Sequence, residues 1–238
     1  MKLSEIFSQL TYGELSQIHL GGADTGVIDE ANYSKILAHI NLGLTALHTR
    51  FPLKEGRLKL QTQADMVTYP LNSRFAVNNL RSRESVRTIQ DTVSDPFKDD
   101  IHKVERVYWD TRELGLNDDA NPMSCFTPSA HVLRVPADVV AENALLDVVY
   151  RANHVPITVS LGLFDPTRVE VELPYSHLEP LLYFVASRIN NPMGMSNEFH
   201  AGNSYAAKYE AACQQLELQN LRVDQGAQNT RLERNGWV

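Results

Sequence analysis

Four residues in one short stretch could do chemistry together. Asp95, Asp99, Asp100 and His102 combine three carboxylates with an imidazole. Hard oxygens beside one imidazole could hold a divalent cation, or divide the roles of acid and base in a hydrolysis. The competing reading is a solvated turn that leads into a strand at Ile101. Asp-rich turns form for backbone reasons alone, and the turn is the expected reading. His154, beside Val155-Pro156, is a lone histidine, expected to be packed or surface-exposed and not catalytic. His177-Leu178-Glu179 matches the first half of a zinc-deaminase signature, but the PCxxC half is missing. There is no GxxxxGKS/T phosphate loop, no GxSxG nucleophile elbow and no HExxH zinc pair.

Two further groups have a binding reading and a plainer one. Tyr205 and Tyr209 could stack on bases, but helical spacing beside alanines points to core packing. Arg81, Arg83 and Arg87 could contact phosphates, but Glu84 is interleaved and a solvated polar face is expected. Cys125 and Cys213 are too few and too far apart for a disulfide framework. They are expected to be small buried hydrophobes in a reducing compartment.

The elements that would position these residues follow from the apolar period. Tyr33, Ile36, Leu37, Ile40, Leu44 and Leu47 recur at three- and four-residue steps, which defines one helix face. Asp29 can cap that helix, Ile28 can staple onto Tyr33, and Phe51-Pro52 ends it. A second helix carries Leu178, Leu181, Leu182, Val185 and Ile189. Ser176 and Glu179 have capping-box spacing, and Asn191-Pro192 stops the helix. A third carries Tyr205, Tyr209, Ala212, Cys213 and Leu216, with Ser204 as the candidate cap. A further helix is expected over residues 2–9.

Between these helices the period shifts to two. Val169, Val171 and Leu173 alternate with Arg168, Glu170 and Glu172. Similar short runs occur at 57–63, 101–109, 131–135 and 145–151. Turn chemistry separates them at Leu116-Asn117-Asp118-Asp119, Asn121-Pro122 and Asp165-Pro166. No helix-length pattern alternates with the strands, so a small antiparallel sheet or sandwich is expected rather than parallel βαβ units. The class is α+β. Residues 1–55 and 174–221 should build a helical bundle, with a β-rich domain inserted over residues 56–173. Residues 222–238 have no apolar period and read as an extended C-terminal arm.

Composition bounds the function. The 238 residues are 43% hydrophobic and 21% charged, with a net charge of −7. That supports a folded chain rather than disorder. An acidic balance argues against a protein that grips duplex DNA, which needs a basic stripe to replace counterions. The opening MKLSEIFSQL lacks the apolar run of a signal peptide, and no apolar run reaches membrane-span length. The chain is therefore expected to be made in the cytoplasm, with no membrane partner.

Several stretches, taken in order, resemble the head–tail adaptor or neck proteins of tailed phages, and are similar to the tubular adaptor of T7-like podophages. The opening MKLSEIFSQLTYGELSQIHLGG is followed by a helix ending in Leu47-His48-Thr49-Arg50-Phe51. Tyr69-Pro70-Leu71 stands near Arg74-Phe75-Ala76. Asp95-Pro96-Phe97-Lys98-Asp99-Asp100 leads into 101–109. Leu116-Asn117-Asp118 and Phe126-Thr127-Pro128 precede Leu133-Arg134-Val135-Pro136, and Tyr150-Arg151-Ala152-Asn153-His154 follows. Residues 181–188 and Ala206-Ala207-Lys208-Tyr209-Glu210 resemble the closing helices. The stretches cover nearly the whole chain, and none is a catalytic signature.

The resemblance implies a structural virion protein and not an enzyme, with no cofactor. It implies a helical bundle with an inserted β-domain. It also implies self-association into a ring, twelvefold to match a portal protein, at the head–tail interface of the virion. A distal tail protein, nozzle or tail tube, would dock on the other side. Genomic DNA would cross the channel without sequence-specific binding, and mild negative charge would let it slide. In the arm, Arg231, Asn235 and Trp237 are the candidate docking residues, since a large aromatic on a polar tether suits an interface anchor. The alternatives are another tail-completion protein, a divalent-metal hydrolase using Asp95 to His102, or a DNA-binding packaging factor.

Overall fold

A computed structural model describes residues 1–16, 28–159, 164–190 and 196–219, the last of these without the side chains of 196–201. The fold is α+β. The chain divides into two compact units, Met1–Leu53 with Pro156–Val238, and Lys54–Val155. Each unit has its own apolar core.

The first unit is helical. Helix α1 spans Leu3–Tyr12 and buries Leu3, Ile6, Phe7 and Leu10, a single face at helical spacing. It therefore runs three residues beyond the expected segment. Helix α2, Glu30–Arg50, buries Ile36, Leu37, Ile40, Leu44 and Leu47, the face read from the sequence. Asp29 is its N-cap residue, but its side chain makes no capping bond. Gly43 on this face has no side chain because α4 (Leu178–Asn190) passes close. A Cβ there would stand 2.7 Å from Leu181 Cδ1 and 3.0 Å from Phe184 Cδ1.

Helix α4 begins differently from the expected capping box. A 3₁₀ turn over Tyr175–His177 leads into it. The Ser176 hydroxyl bonds the His177 ring at 3.0 Å, and Glu179 accepts from the Tyr183 hydroxyl at 2.8 Å. Both caps are spent on side chains. Helix α5, Ser196–Leu218, begins eight residues before Ser204, so that serine lies mid-helix and is not a cap. Tyr205, Tyr209, Cys213 and Leu216 face the core, as the spacing required. Arg50 ties α2 to α5 by ion pairs to Glu210 at 2.7 Å and Glu217 at 2.8 Å.

The alternating run 169–173 is not a strand, and it lies with the helices rather than in the β unit. Val171 and Leu173 are buried there. Their backbone partners are the first residues of the chain. The Leu3 N–H donates to the Val169 carbonyl at 3.0 Å, and Val171 N–H donates to Met1 carbonyl at 2.9 Å. The Lys2–Glu170 pairing stays a single bridge because Leu3 already begins a helix. The alternation was a correct burial signal without a sheet to join. The expected β-rich domain over 56–173 accordingly ends at Val155.

The second unit holds two antiparallel sheets. Strands β1 (Glu55–Gln61), β3 (Ile89–Gln90), β4 (Ile101–Trp109), β5 (Arg112–Leu114) and β8 (Leu145–Ala152) order as β3-β1-β8-β4-β5. Strands β2 (Thr68–Pro70), β6 (Phe126–Ser129) and β7 (Val132–Arg134) order as β2-β7-β6. A short helix α3, Ala137–Ala141, buries Val139 and Val140. Strand β4 buries Ile101, Val104 and Val107, every third residue. The reason is two register shifts against β8, between Ile101 and Lys103 and between Val104 and Arg106. Each such bulge inserts one residue and turns the next side chain back to the same face. Among the described residues no helix is long and apolar enough to cross a membrane.

Candidate functional site

The four residues of the Asp95–His102 stretch do not converge. Asp99 sits in the left-handed region at φ 58°, and its carboxylate accepts from both the backbone N–H and the hydroxyl of Ser73. Asp100 accepts from the Tyr150 hydroxyl at 3.0 Å. Asp95 is exposed and pairs only loosely with Lys98 at 4.0 Å. His102 is half-exposed within β4. The carboxylates are thus spread over three separate jobs. Among the described residues no cluster of three or more His, Cys, Asp or Glu is placed to hold a metal ion.

Beside this stretch lies a cleft of about 550 Å³. Its floor is β1, from Glu55 to Lys59, and its wall includes Asp91, Phe97 and Tyr150. Burial and the neighbouring Asp100 carboxylate push the Tyr150 hydroxyl far above its ordinary 10.0, so it stays protonated and donates to Asp100. The lining contains no histidine, cysteine or serine. Charges of both signs ring it, and among the described residues its one hydroxyl–carboxylate contact is Tyr150 to Asp100.

The arginine group is more ordered than a solvated face. The half-buried Arg87 guanidinium donates to four carbonyls of the loop 72–88. Its Nη1 reaches Arg74 O at 2.9 Å, Ala76 O at 3.1 Å and Asn79 O at 3.2 Å, and its Nη2 reaches Ser82 O at 2.9 Å. A planar fork of donors suits that task. Arg81 and Arg83 remain exposed, as expected. Leu80, just before Arg81, is 95% exposed. A second cleft, of about 640 Å³, lies by Val67, Phe126, Pro128, Val135 and Pro136, with Asn117 and Asp119 at its rim.

The remaining candidates are structural. Tyr209 packs its ring against Phe184 at 5.3 Å, and the Tyr205 hydroxyl donates to the Glu14 carbonyl at 3.2 Å. His154 is buried, with its Nδ1 3.1 Å from the Val155 carbonyl. His177 is buried edge-on to Phe51 at 4.8 Å. Both cysteines are free and buried, and burial pushes the Cys125 thiol up to about 12. Arg231, Asn235 and Trp237 lie outside the described residues.

Sequence reasoning missed the hub role of Arg87. Its four acceptors are backbone carbonyls, which leave no residue signature. It also passed over Leu80, a single apolar residue in a polar loop. No protein-family model matches the chain, and no curated protein matches it.

Proposed function

We propose that this chain is a structural virion protein, a head–tail adaptor that forms a ring between portal and tail and leaves a channel for DNA. The observation that carries the reading is the arrangement of the chain: helices from both ends flank one inserted antiparallel β unit, Lys54–Val155. That is the arrangement the ordered resemblance implies. In this reading the helical unit is the bundle, the ring has twelve copies, and portal and distal tail protein dock on its two ends. The dispersal of Asp95, Asp99, Asp100 and His102 removes the observation that favoured a metal hydrolase. No catalytic role is assigned to any residue.

The acidic net charge of −7 suits a channel that DNA crosses without being held. The test is imaging of the purified chain incubated with portal rings. An added annular layer on the portal is the expected result. Portal rings unchanged in length after incubation would contradict the reading.

A further inference from the structure

We infer that the open edge of strand β1 is a binding site for an extended polypeptide segment of a partner protein, which adds to the five-stranded sheet as a short antiparallel strand beside residues 55–57. The inference stands apart from the adaptor reading and needs neither ring nor portal.

The open edge follows from the ladder. Ala152 N–H donates to the Lys54 carbonyl at 2.9 Å, and Thr62 N–H donates to the Ala144 carbonyl at 2.9 Å. The even-numbered residues of β1 therefore turn their main-chain groups toward β8. The odd-numbered residues turn theirs the other way, as Gln61 N–H does in donating to the Thr88 carbonyl at 2.7 Å. On that side β3 pairs with Lys59 and Leu60 and goes no further. The N–H and C=O of Glu55 and of Arg57 thus point off the sheet. Among the described residues no main-chain or side-chain group bonds them.

The chain that could have covered this strip is held off it. After Gln90 the Asp91 carboxylate accepts from Asn78 N–H at 2.9 Å and from Phe97 N–H at 3.2 Å, and the Asp91 carbonyl accepts from Asn78 Nδ2 at 2.6 Å. Thr92 and Asp95 then close a turn through their main chains. What remains is the cleft of about 550 Å³, with the β1 edge on one side and residues 95–98 on the other. Soluble proteins blunt bare edges with proline, bulges, charge or a covering loop. The β1–β8 register runs without a shift over 55–61, with no proline in it. The charges of Glu55 and Arg57 pair with each other at 3.2 Å.

The two faces of the strip specify the occupant. Leu58 and Leu60 are buried on one face, which Ile89 and Tyr150 share through their pairing with β1. Phe97 packs edge-on to Tyr150 there at 6.3 Å. Glu55, Arg57 and Lys59 share the other, polar face. A residue paired with Arg57 places its side chain on that polar face, opposite Arg57 and diagonal to Lys59, and an acidic side chain suits both. Glu55 is already held by Arg57 at 3.2 Å and Arg106 at 3.5 Å, so it calls for no base. The next residue of an antiparallel strand pairs with Gly56 and turns its side chain to the Phe97 face, where an aliphatic one suits. The occupant is therefore an extended segment with an acid followed by an aliphatic residue. Main-chain bonds supply the affinity of such an added strand, and the alternate side chains supply its specificity.

Residue-resolved amide hydrogen exchange on the full chain tests this, with the synthetic peptide acetyl-Thr-Thr-Glu-Val-Thr-Thr-amide as probe. In the free protein the Glu55 and Arg57 amides should exchange at least about tenfold faster than those of Gly56 and Leu58, which β8 holds. Peptide at millimolar concentration should slow Glu55 and Arg57 by about tenfold and leave Gly56 and Leu58 unchanged. The same peptide N-methylated at its glutamate lacks the N–H that would donate to the Arg57 carbonyl, and it should give no protection. Arg57→Glu, with its thermal midpoint matched to the parent, should weaken the glutamate peptide about tenfold and favour the peptide with lysine in that place. Four results would overturn the inference. The first is no protection by the parent peptide, and the second is equal protection by the N-methylated one. The third is a charge preference that Arg57→Glu leaves unaltered. The last is a pair of amides at Glu55 and Arg57 already as slow as Gly56 in the free protein, which would mean that this chain covers its own edge.

Discussion

Gly56 and Tyr150 face each other across the β1–β8 pair, and the tyrosine ring fills the space that a side chain on Gly56 would need. The ring lies over bare backbone and its hydroxyl donates to Asp100 at 3.0 Å. A glycine in a strand is weak alone, but an aromatic from the next strand covers it. Gly56→Ala should therefore destabilise the protein by about 2–3 kcal/mol through overpacking. Tyr150→Phe should cost about 1 kcal/mol, the usual net value of one hydrogen bond. The Gly56→Ala and Tyr150→Ala pair should be strongly non-additive, because the second change removes the clash made by the first. His102→Ala, on the same stretch but solvent-facing, should stay within about 0.5 kcal/mol. Denaturant unfolding of the six proteins, wild type and the Tyr150→Ala single variant included, checks all of these.

Burial holds His177 below its ordinary 6.5, and its Nε2 has no hydrogen-bond partner among the described residues. The unfolded chain takes up a proton as pH falls through about 6.5, while the folded chain resists until lower pH. The unfolded state therefore binds more protons in that window, and stability falls as pH falls. Burial and, next, Arg188 lower His39 in the same direction. The thermal midpoint should drop between about pH 7 and about pH 5, and His177→Phe should flatten part of that slope. Equal slopes for variant and parent would show that His177 does not titrate differently on unfolding.

Much of this architecture can be read directly from residue periodicity. The α2 and α4 faces and the long strands β1, β4 and β8 follow from apolar spacing, because each buries enough side chains to show a period. Strands β2, β3, β5 and β6 span two to four residues and two contain proline, so no period can develop. Residues 169–173 show the opposite failure: the period is clear, but the partner is the first helix's leading edge rather than a strand. The acidic stretch reads as a turn entering a strand at Ile101, and the strand does begin there. What the sequence does not reveal is that Ser73 and Tyr150, distant in sequence, claim Asp99 and Asp100.

The arm over residues 222–238 is polar apart from a few apolar residues, among them Trp237. A segment with so little apolar surface adds little to a core, but a tryptophan in it is a ready interface anchor. Deleting 222–238 should leave the thermal midpoint of the free subunit nearly unchanged and weaken portal attachment. Trp237→Ala alone should reproduce part of that loss, and Arg231→Ala and Asn235→Ala smaller parts. Thermal scans and portal pull-downs on the same preparations separate the two effects. Undiminished attachment of the truncated chain would remove the arm from the interface.

The central claim is that the chain assembles on a portal. The direct measurement is the mass of the complex formed when the purified full chain is mixed with portal rings at micromolar concentration. The account predicts a discrete species heavier than the portal by twelve subunits of 26.8 kDa, with no partly filled series at excess subunit. A mixture in which portal and subunit keep their separate masses would contradict it.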